Sequence, residues 1–457
     1  MKLSIALALS AVPACLSAQS LPPVRQLGPV TAVSKEPLSA VSTVRSLSGG
    51  RVLVNDIVGR RVVMFDSSLA TATVVADTTS ATAQAYGTRA GGLIPYRADS
   101  TLFVDPASLS MLLIDPDGKI ARVMSAPPDV GFLVGGPFGN PGFDPAGRLV
   151  YRAPPNFRGM VQRLSGRPED FPTPPDSAAL VRFDLATRKL DTATFFKTPK
   201  INMQVGRSPD GGVRVQSMIN PLPQGDDWAM LPDGTIALVR GRDFHIDWLS
   251  PDGKVTASPK IPFNWERLTD EGKVALLDSA KTAMEKARAS GQFGGDAAGG
   301  AVIGFRNGPD GGGPGGGGRD GRRREGGDAP RTDVATPAPN AQAGTITVQA
   351  GGTTVTAVGP GAGGRPLEMV SPSELPDYRP AFRPGSTRVD PDGNLWIRTN
   401  ENVEGRPVYD VVNRKGELFD RVQIPANRAL IGFGPGGAVY LAVRDGNTAH
   451  LEKARVK

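Results

Sequence analysis

The fold is decided by the stretch Gly234-Thr235-Ile236-Ala237-Leu238-Val239-Arg240, which is followed by Phe244-His245-Ile246-Asp247-Trp248 and by Ser250-Pro251-Asp252-Gly253. This order is a glycine turn, a strand that ends in arginine, a second strand and another glycine turn. It returns in Asp392-Gly393-Asn394-Leu395-Trp396-Ile397-Arg398, Val408-Tyr409-Asp410-Val411-Val412 and Lys415-Gly416. A repeated unit of this kind cannot bury its own apolar face, so successive units must stack.

The composition agrees with many short strands. Of the 457 residues, 57 are Gly and 42 are Pro, and 39% are hydrophobic. This balance favours turns and strands over a helical bundle. Six units of up to four strands can be laid out, at about 43–77, 101–118, 145–196, 226–260, 386–424 and 428–454. We therefore predict an all-β, six-bladed β-propeller, with seven blades as the alternative if residues 201–219 add another.

The blades are predicted to fall in two blocks, 25–264 for blades 1–4 and 365–457 for blades 5 and 6. The last unit lacks a fourth strand, and a strand at 29–34 would supply it and close the ring. Between the blocks, apolar residues at helical spacing predict a helix within 265–290, with Thr269 as N-cap. Residues 291–364 are Gly-rich and predicted to be disordered, with a hairpin at Thr345–Val358 as the alternative there.

The first 18 residues have the pattern of an export signal. Lys2 precedes a short apolar stretch, and Leu16-Ser17-Ala18 offers small residues for cleavage. We expect a periplasmic or secreted protein; the alternative is lipid anchoring through Cys15, the only cysteine. No apolar run is long enough for a transmembrane helix. Because we expect export, the net charge of +7 points to anionic envelope material rather than nucleic acid.

In each blade we label the strands A to D from the inside outwards. Because successive strands are antiparallel, the B–C loops and the links between blades share one end of the ring, which we call the loop face. The two longest connections, at about 153–176 and 265–380, belong to this face. Binding residues tend to lie on such loops. Arginine side chains at this face could bind the carboxylate or phosphate groups of a ligand. The alternative is a structural role, in which arginine and aspartate side chains of neighbouring blades pair with one another. The B strands end there with the candidate ligand-binding residues Asp56, Asp105, Arg152, Arg240, Arg398 and Arg444.

A hard-cation site is the alternative at the same face. Asp226 and Asp227 precede the innermost strand of the fourth unit, and Asn140 and Asn427 hold comparable places. Their oxygens could bind calcium or another divalent cation. The chain has only two histidines, which excludes a three-histidine zinc site within it. It also lacks the G-x-S-x-G and H-E-x-x-H motifs of serine hydrolases and zinc peptidases.

The cadence of a Pro-Asp-Gly turn, two strands and a glycine turn, as at Pro232-Asp233-Gly234 and Pro391-Asp392-Gly393, resembles the NHL-repeat and TolB-like six-bladed propellers of exported bacterial proteins. The resemblance covers about 25–264 and 380–457 and implies the architecture. Similar families include gluconolactonase-like enzymes, whose central channel holds a divalent metal. Their ligands match Asp226, Asn140 and Asn427 loosely. The amidating-lyase propellers use histidine-bound zinc, for which this chain lacks the histidines.

These observations leave three functions open. The first is an exported binding propeller, without a cofactor, that takes an anionic ligand or an envelope protein or glycan on its loop face. The second is a divalent-metal-dependent, lactonase-like hydrolase or lyase that uses the central channel. The third is a platform whose inserted arm, 291–364, captures the partner. The lack of catalytic motifs favours a binding protein over an enzyme.

Overall fold

The computed structural model describes residues 21–155, 171, 173–208, 211–289, 345–350, 353–358, 366–446 and 448–456. The predicted signal peptide with Cys15, most of the Gly-rich insertion and the middle of the third blade's B–C loop lie outside these residues. In the described part, no helix is long and apolar enough to cross a membrane.

In the described part of the chain, the ring consists of six blades, each built from four antiparallel strands, and the sheet of blade 5 has one additional strand. Blade 1 contains β3 (Val41–Ser46), β4 (Val52–Asp56), β5 (Arg61–Phe65) and β6 (Ala72–Ala76). Blade 2 contains β7 (Gly92–Pro95), β8 (Thr101–Asp105), β9 (Ser110–Ile114) and β10 (Ile120–Ser125). Blade 3 contains β11 (Gly142–Phe143), β12 (Leu149–Arg152), β13 (Ser177–Phe183) and β14 (Leu190–Lys197).

Blades 4 to 6 repeat this order on either side of the insertion. Blade 4 contains β17 (Asp227–Met230), β18 (Ile236–Arg240), β19 (His245–Leu249) and β20 (Val255–Ala257). Blade 5 contains β23 (Phe382–Val389), β24 (Leu395–Val403), β25 (Arg406–Val412) and β26 (Leu418–Gln423). Blade 6 contains β27 (Arg428–Gly434), β28 (Ala438–Asp445) and β29 (Thr448–Arg455), with β2 (Ala32–Val33) as its outer strand. The protein is a six-bladed β-propeller, as predicted.

Among the described residues, six of the eight apolar clusters lie between two consecutive blades and form the core of the ring. Blades 4 and 5, for example, share a cluster that contains Phe244, Trp248 and Phe382. The ring closes through a cluster that joins Phe65 of blade 1 to Tyr440 of blade 6. Each large side chain that is fully buried in such a cluster contributes roughly 1.5–3 kcal/mol, so stacking of neighbouring blades stabilises the ring.

The N-terminal segment joins two blades. Strand β2 pairs antiparallel with β29 and supplies the fourth strand of blade 6. The preceding strand, β1 (Val24–Gln26), was not predicted and pairs in parallel with β26 at the outer edge of blade 5. The N-terminal segment therefore covers both edges that blades 5 and 6 would otherwise leave open.

A small module stands outside the ring, on the links that flank blade 4. The segment that could have added a seventh blade forms the hairpin β15 (Met203–Arg207) and β16 (Val213–Ser217). Strand β16 pairs in parallel with β22 (Thr353–Val358), which forms a hairpin with β21 (Thr345–Ala350). The helix α1 (Asp270–Ala289) packs through Leu277 beside this sheet's links.

Candidate functional site

Two of the six candidates at the B-strand ends hold the backbone of their own loops. The Asp56 carboxylate is fully buried, accepts hydrogen bonds from the N–H groups of Ser39 (3.0 Å) and Ala40 (2.8 Å), and pairs with Arg61 at 3.1 Å. Asp105 is buried as well and accepts from the N–H of Ala107 at 3.1 Å. Neither carboxylate is left to meet a ligand.

Arg240 is neutralised within blade 4. Its Nη1 lies 2.7 Å from the Asp226 carboxylate, and its Nε lies 2.7 Å from the carboxylate of Asp247. This arginine therefore has the structural role that was left open as the alternative, because it ties the end of strand B to the neighbouring strands.

Arg152 is the candidate with the least polar surroundings. Its guanidinium lies over the rings of Phe138, at 5.7 Å, and Phe196, at 5.8 Å from the ring centroids. Its Nε is buried and has no hydrogen-bond partner in the structure. Desolvation lowers the pKa of Arg152. Cation–π contacts compensate a buried charge only in part, so an anion would stabilise this side chain.

Arg398 and Arg444 are both exposed and have no ion pair within the described ranges. They differ in their surroundings. Arg444 lies near the end of β28 in blade 6. Arg398 was predicted to end its B strand, but β24 continues to Val403, so Arg398 lies within the strand, close to a second arginine, Arg383. Desolvation and the charges of Arg398 and Arg379 lower the pKa of Arg383.

An interruption of the inner strand of blade 5 brings these two arginines together. Phe382 pairs with Thr399 and Thr387 pairs with Ile397, so the four residues 383–386 lie opposite Arg398 alone. Gly385 has φ +85° within this bulge, a conformation that L-residues rarely adopt. Bulges of this kind re-aim side chains and occur next to binding and active sites.

The bulge contains polar side chains that make no contact with a polar partner. Within the described residues neither Arg383 nor Arg398 has an ion pair or a side-chain hydrogen bond, and the Ser386 Oγ is buried without a hydrogen-bond partner. The two neighbouring guanidinium groups repel each other, and no described carboxylate lies within ion-pair distance of either. We call Arg383, Ser386 and Arg398 the blade-5 arginine site.

Arg383 could not be recognised from the strand pattern. It was predicted to precede blade 5, in the return from the insertion, and the bulge that pairs it with Arg398 has no marker except Pro384-Gly385.

Three of the four residues of the alternative metal site engage protein groups: Asp226, Asp227 and Asn140. The Asp227 carboxylate is buried and accepts from the N–H groups of Trp228 (2.9 Å) and Thr387 (2.8 Å), and burial raises its pKa. Asn140 Nδ2 donates to the Thr387 carbonyl at 3.1 Å, so these two side chains meet at blade 5.

The Asp226 carboxylate pairs with Arg240 and accepts a hydrogen bond from the N–H of Gly241 at 3.0 Å. Asn427 is exposed on the link between β26 and β27. The described residues contain no group of three His, Cys, Asp or Glu that could hold a metal. Because the carboxylate oxygens of Asp226 and Asp227 accept protein N–H groups, the four residues do not fit a divalent cation in this arrangement.

No protein-family model matches the chain, and no curated protein matches it. Among solved structures, it is similar to a gluconolactonase from Xanthomonas campestris, with 11% identity, a TM-score of 0.34, and coverage of 96% of this chain and 99% of that one. It is also similar to regucalcin, a calcium-binding protein from Agrobacterium tumefaciens, with 10% identity, a TM-score of 0.37, and coverage of 95% and 98%.

A third similar structure is the PQQ-bound aldose sugar dehydrogenase from Streptomyces coelicolor, with 12% identity, a TM-score of 0.37, and coverage of 95% of this chain and 100% of that one.

Proposed function

We propose that this is an exported binding protein that takes an anionic ligand at the blade-5 arginine site on its loop face. The observation that carries this proposal is the bulge opposite Arg398, which places side by side two arginines that have no ion pair among the described residues. Guanidinium groups bind carboxylates and phosphates through parallel hydrogen bonds, and a bound anion would also remove the repulsion between the two charges. The Ser386 Oγ in the same bulge is buried and has no hydrogen-bond partner.

Some of the arginines that the sequence suggested are less suited to an anion than others. The charge of Arg240 is already balanced by two aspartates. Arg152 has no ion pair among the described residues, but it lies in blade 3 between aromatic rings, and we expect it to contribute less to anion binding. Arg398 and Arg383 carry the main prediction, because each is exposed and lacks a partner among the described residues.

Calorimetric titration of the mature protein with citrate at low ionic strength tests this function. We expect binding to the wild type, a loss of about tenfold or more in Arg398→Gln and in Arg383→Gln, and no change in Arg444→Gln. The last variant is a matched control, because Arg444 is an exposed arginine on blade 6 without an ion pair in the described part. Equal citrate affinity in all four proteins would contradict the proposal.

The same titrations repeated with EDTA and with calcium separate the alternative enzyme from the binding protein. If ligand binding required calcium, the result would favour the metal-dependent enzyme, and the central channel would be its candidate site. Citrate binds calcium, so sulfate replaces it in this part of the experiment.

A further inference from the structure

A polar pocket of about 340 Å³ lies next to the blade-5 arginine site. One wall comes from Phe263, Asn264 and Glu266, and the other from Arg379 and from the run Asn400-Glu401-Asn402. This run is a second irregularity of blade 5, because Arg398 pairs with Tyr409 and Asn402 pairs with Pro407. The volume falls at the small end of the range of ligand pockets, about 300–1,000 Å³.

Some polar side chains of the pocket are bonded to other protein groups, and others are not. Glu266 pairs with Arg379 at 2.7 Å, and Glu401 pairs with Arg421. In contrast, Asn264 and Asn402 are exposed and have no side-chain hydrogen bond within the described residues. Each of these amides offers donors and an acceptor, a combination that matches hydroxyl groups, which both donate and accept.

One aromatic side chain, Phe263, lines the same pocket. Its ring packs edge to face against that of Trp265, with centroids 5.4 Å apart. An aromatic ring beside the two unused amides provides an apolar surface and hydrogen bonds together, which suits the ring of a saccharide.

The charges divide the region into two parts. Arg379 lines the pocket and acts electrostatically on Arg383, so the pocket adjoins the arginine site. The lining of the pocket holds two glutamates and one arginine, so a second anion is disfavoured there. A ligand that fits both parts carries its negative charge at one end and uncharged hydroxyl groups at the other.

We infer that the ligand is an acidic saccharide, whose carboxylate meets Arg383 and Arg398 and whose hydroxyl-bearing ring occupies the pocket between Asn264 and Asn402. This inference rests on the proposed anion-binding function and adds the ligand class.

Calorimetry on the mature protein with D-galacturonate, D-galactose and acetate tests the inference. We expect galacturonate to bind at least tenfold more tightly than acetate, because it adds hydrogen bonds in the pocket. The Asn264→Ala/Asn402→Ala double variant is expected to lose about tenfold for galacturonate and nothing for acetate. Gln204→Ala, which removes an exposed amide on β15, is the matched control and leaves both affinities unchanged.

The outcomes separate the inference from the function on which it rests. If galacturonate binds no more tightly than acetate while Arg398→Gln weakens both, the saccharide inference is overturned and the anion site stands. If neither galacturonate nor acetate binds, the saccharide inference and the anion-binding function are both overturned. The same holds if galactose binds as tightly as galacturonate and Arg398→Gln leaves these affinities unchanged.

Discussion

At the scale of single residues, blade 5 contains charged groups in unfavourable surroundings. Arg383 and Arg398 repel each other at the loop face, and Asp410 is fully buried, where its ion pair with Arg421 at 3.1 Å only partly offsets its desolvation. The B-strand arginines were predictable as a pattern. Their partners were not, because the pairing of Arg240 with Asp226 and Asp247 depends on how three strands approach one another.

Arg398→Gln should stabilise the protein in the absence of ligand, since it relieves the repulsion on Arg383. We expect the free energy of unfolding to rise by a few tenths to about 1 kcal/mol at low ionic strength, and the gain to vanish in about 1 M salt. Urea denaturation at both salt concentrations measures this. A variant that is less stable than the wild type would contradict it, because Arg398 would then make a stabilising contact.

Asp410→Asn should alter the dependence of stability on pH. Desolvation raises the pKa of Asp410 to about 6, although Arg421 lowers it and Glu401 raises it further. An acid whose pKa is raised on folding contributes stability below its unfolded pKa near 4, and that contribution is lost as the pH rises through about 6. The variant should therefore gain on the wild type between about pH 4 and about pH 7.

Thermal unfolding across that pH range, with Asp278→Asn on the surface of α1 as control, tests this prediction. Parallel curves for wild type and Asp410→Asn would show that Asp410 titrates normally.

At the scale of elements, the regular strands and their turns could be predicted from the sequence, whereas the bulge that interrupts the inner strand of blade 5 could not. The turns of the Pro-Asp-Gly cadence are fixed locally: the Asp390 carboxylate accepts from the N–H groups of Asp392 (3.0 Å) and Asn394 (2.8 Å). The bulge at 383–386 is set by contacts with blade 4, where Asp227 accepts from the N–H of Thr387. This contact joins residues that are 160 positions apart, so the sequence around the bulge contains no pattern from which it could be predicted.

Thr269→Ala should loosen α1 without affecting the propeller. Thr269 Oγ1 accepts from the N–H of Gly272 at 3.1 Å, so it caps the helix as its position in the sequence indicated. Loss of an N-cap costs about 1 kcal/mol. Hydrogen exchange should show less protection in 270–289 and unchanged protection in the blades, and Thr269→Ser should behave as the wild type. Unchanged exchange in the helix would show that packing at Leu277 holds it without the cap.

At the scale of the whole molecule, ring closure depends on the N-terminal segment. The N–H groups of Thr31 and Ser34 donate to the carbonyls of Lys453 (2.7 Å) and Leu451 (2.8 Å). The blade count and a closing strand near residue 30 were predictable, because the last unit lacked a strand. The parallel strand β1 on blade 5 was not, since three residues carry no periodic signal.

A chain that begins at residue 36 should lose β1 and β2 and leave β26 and β29 as open edges. We expect its melting temperature to fall by roughly 10 °C or more, together with a tendency to aggregate. A chain that begins at residue 21 is the control. Equal melting temperatures for the two chains would show that the apolar cluster between blades 6 and 1 closes the ring unaided.

The most direct test of the account is a double-mutant cycle on anion affinity with Arg383→Gln, Arg398→Gln and the two combined. If one anion bridges both guanidinium groups, each single variant should lose nearly as much affinity as the double variant, because either change breaks the shared site. Losses that simply add, or single variants that bind citrate like the wild type, would contradict a shared anion site at the blade-5 bulge.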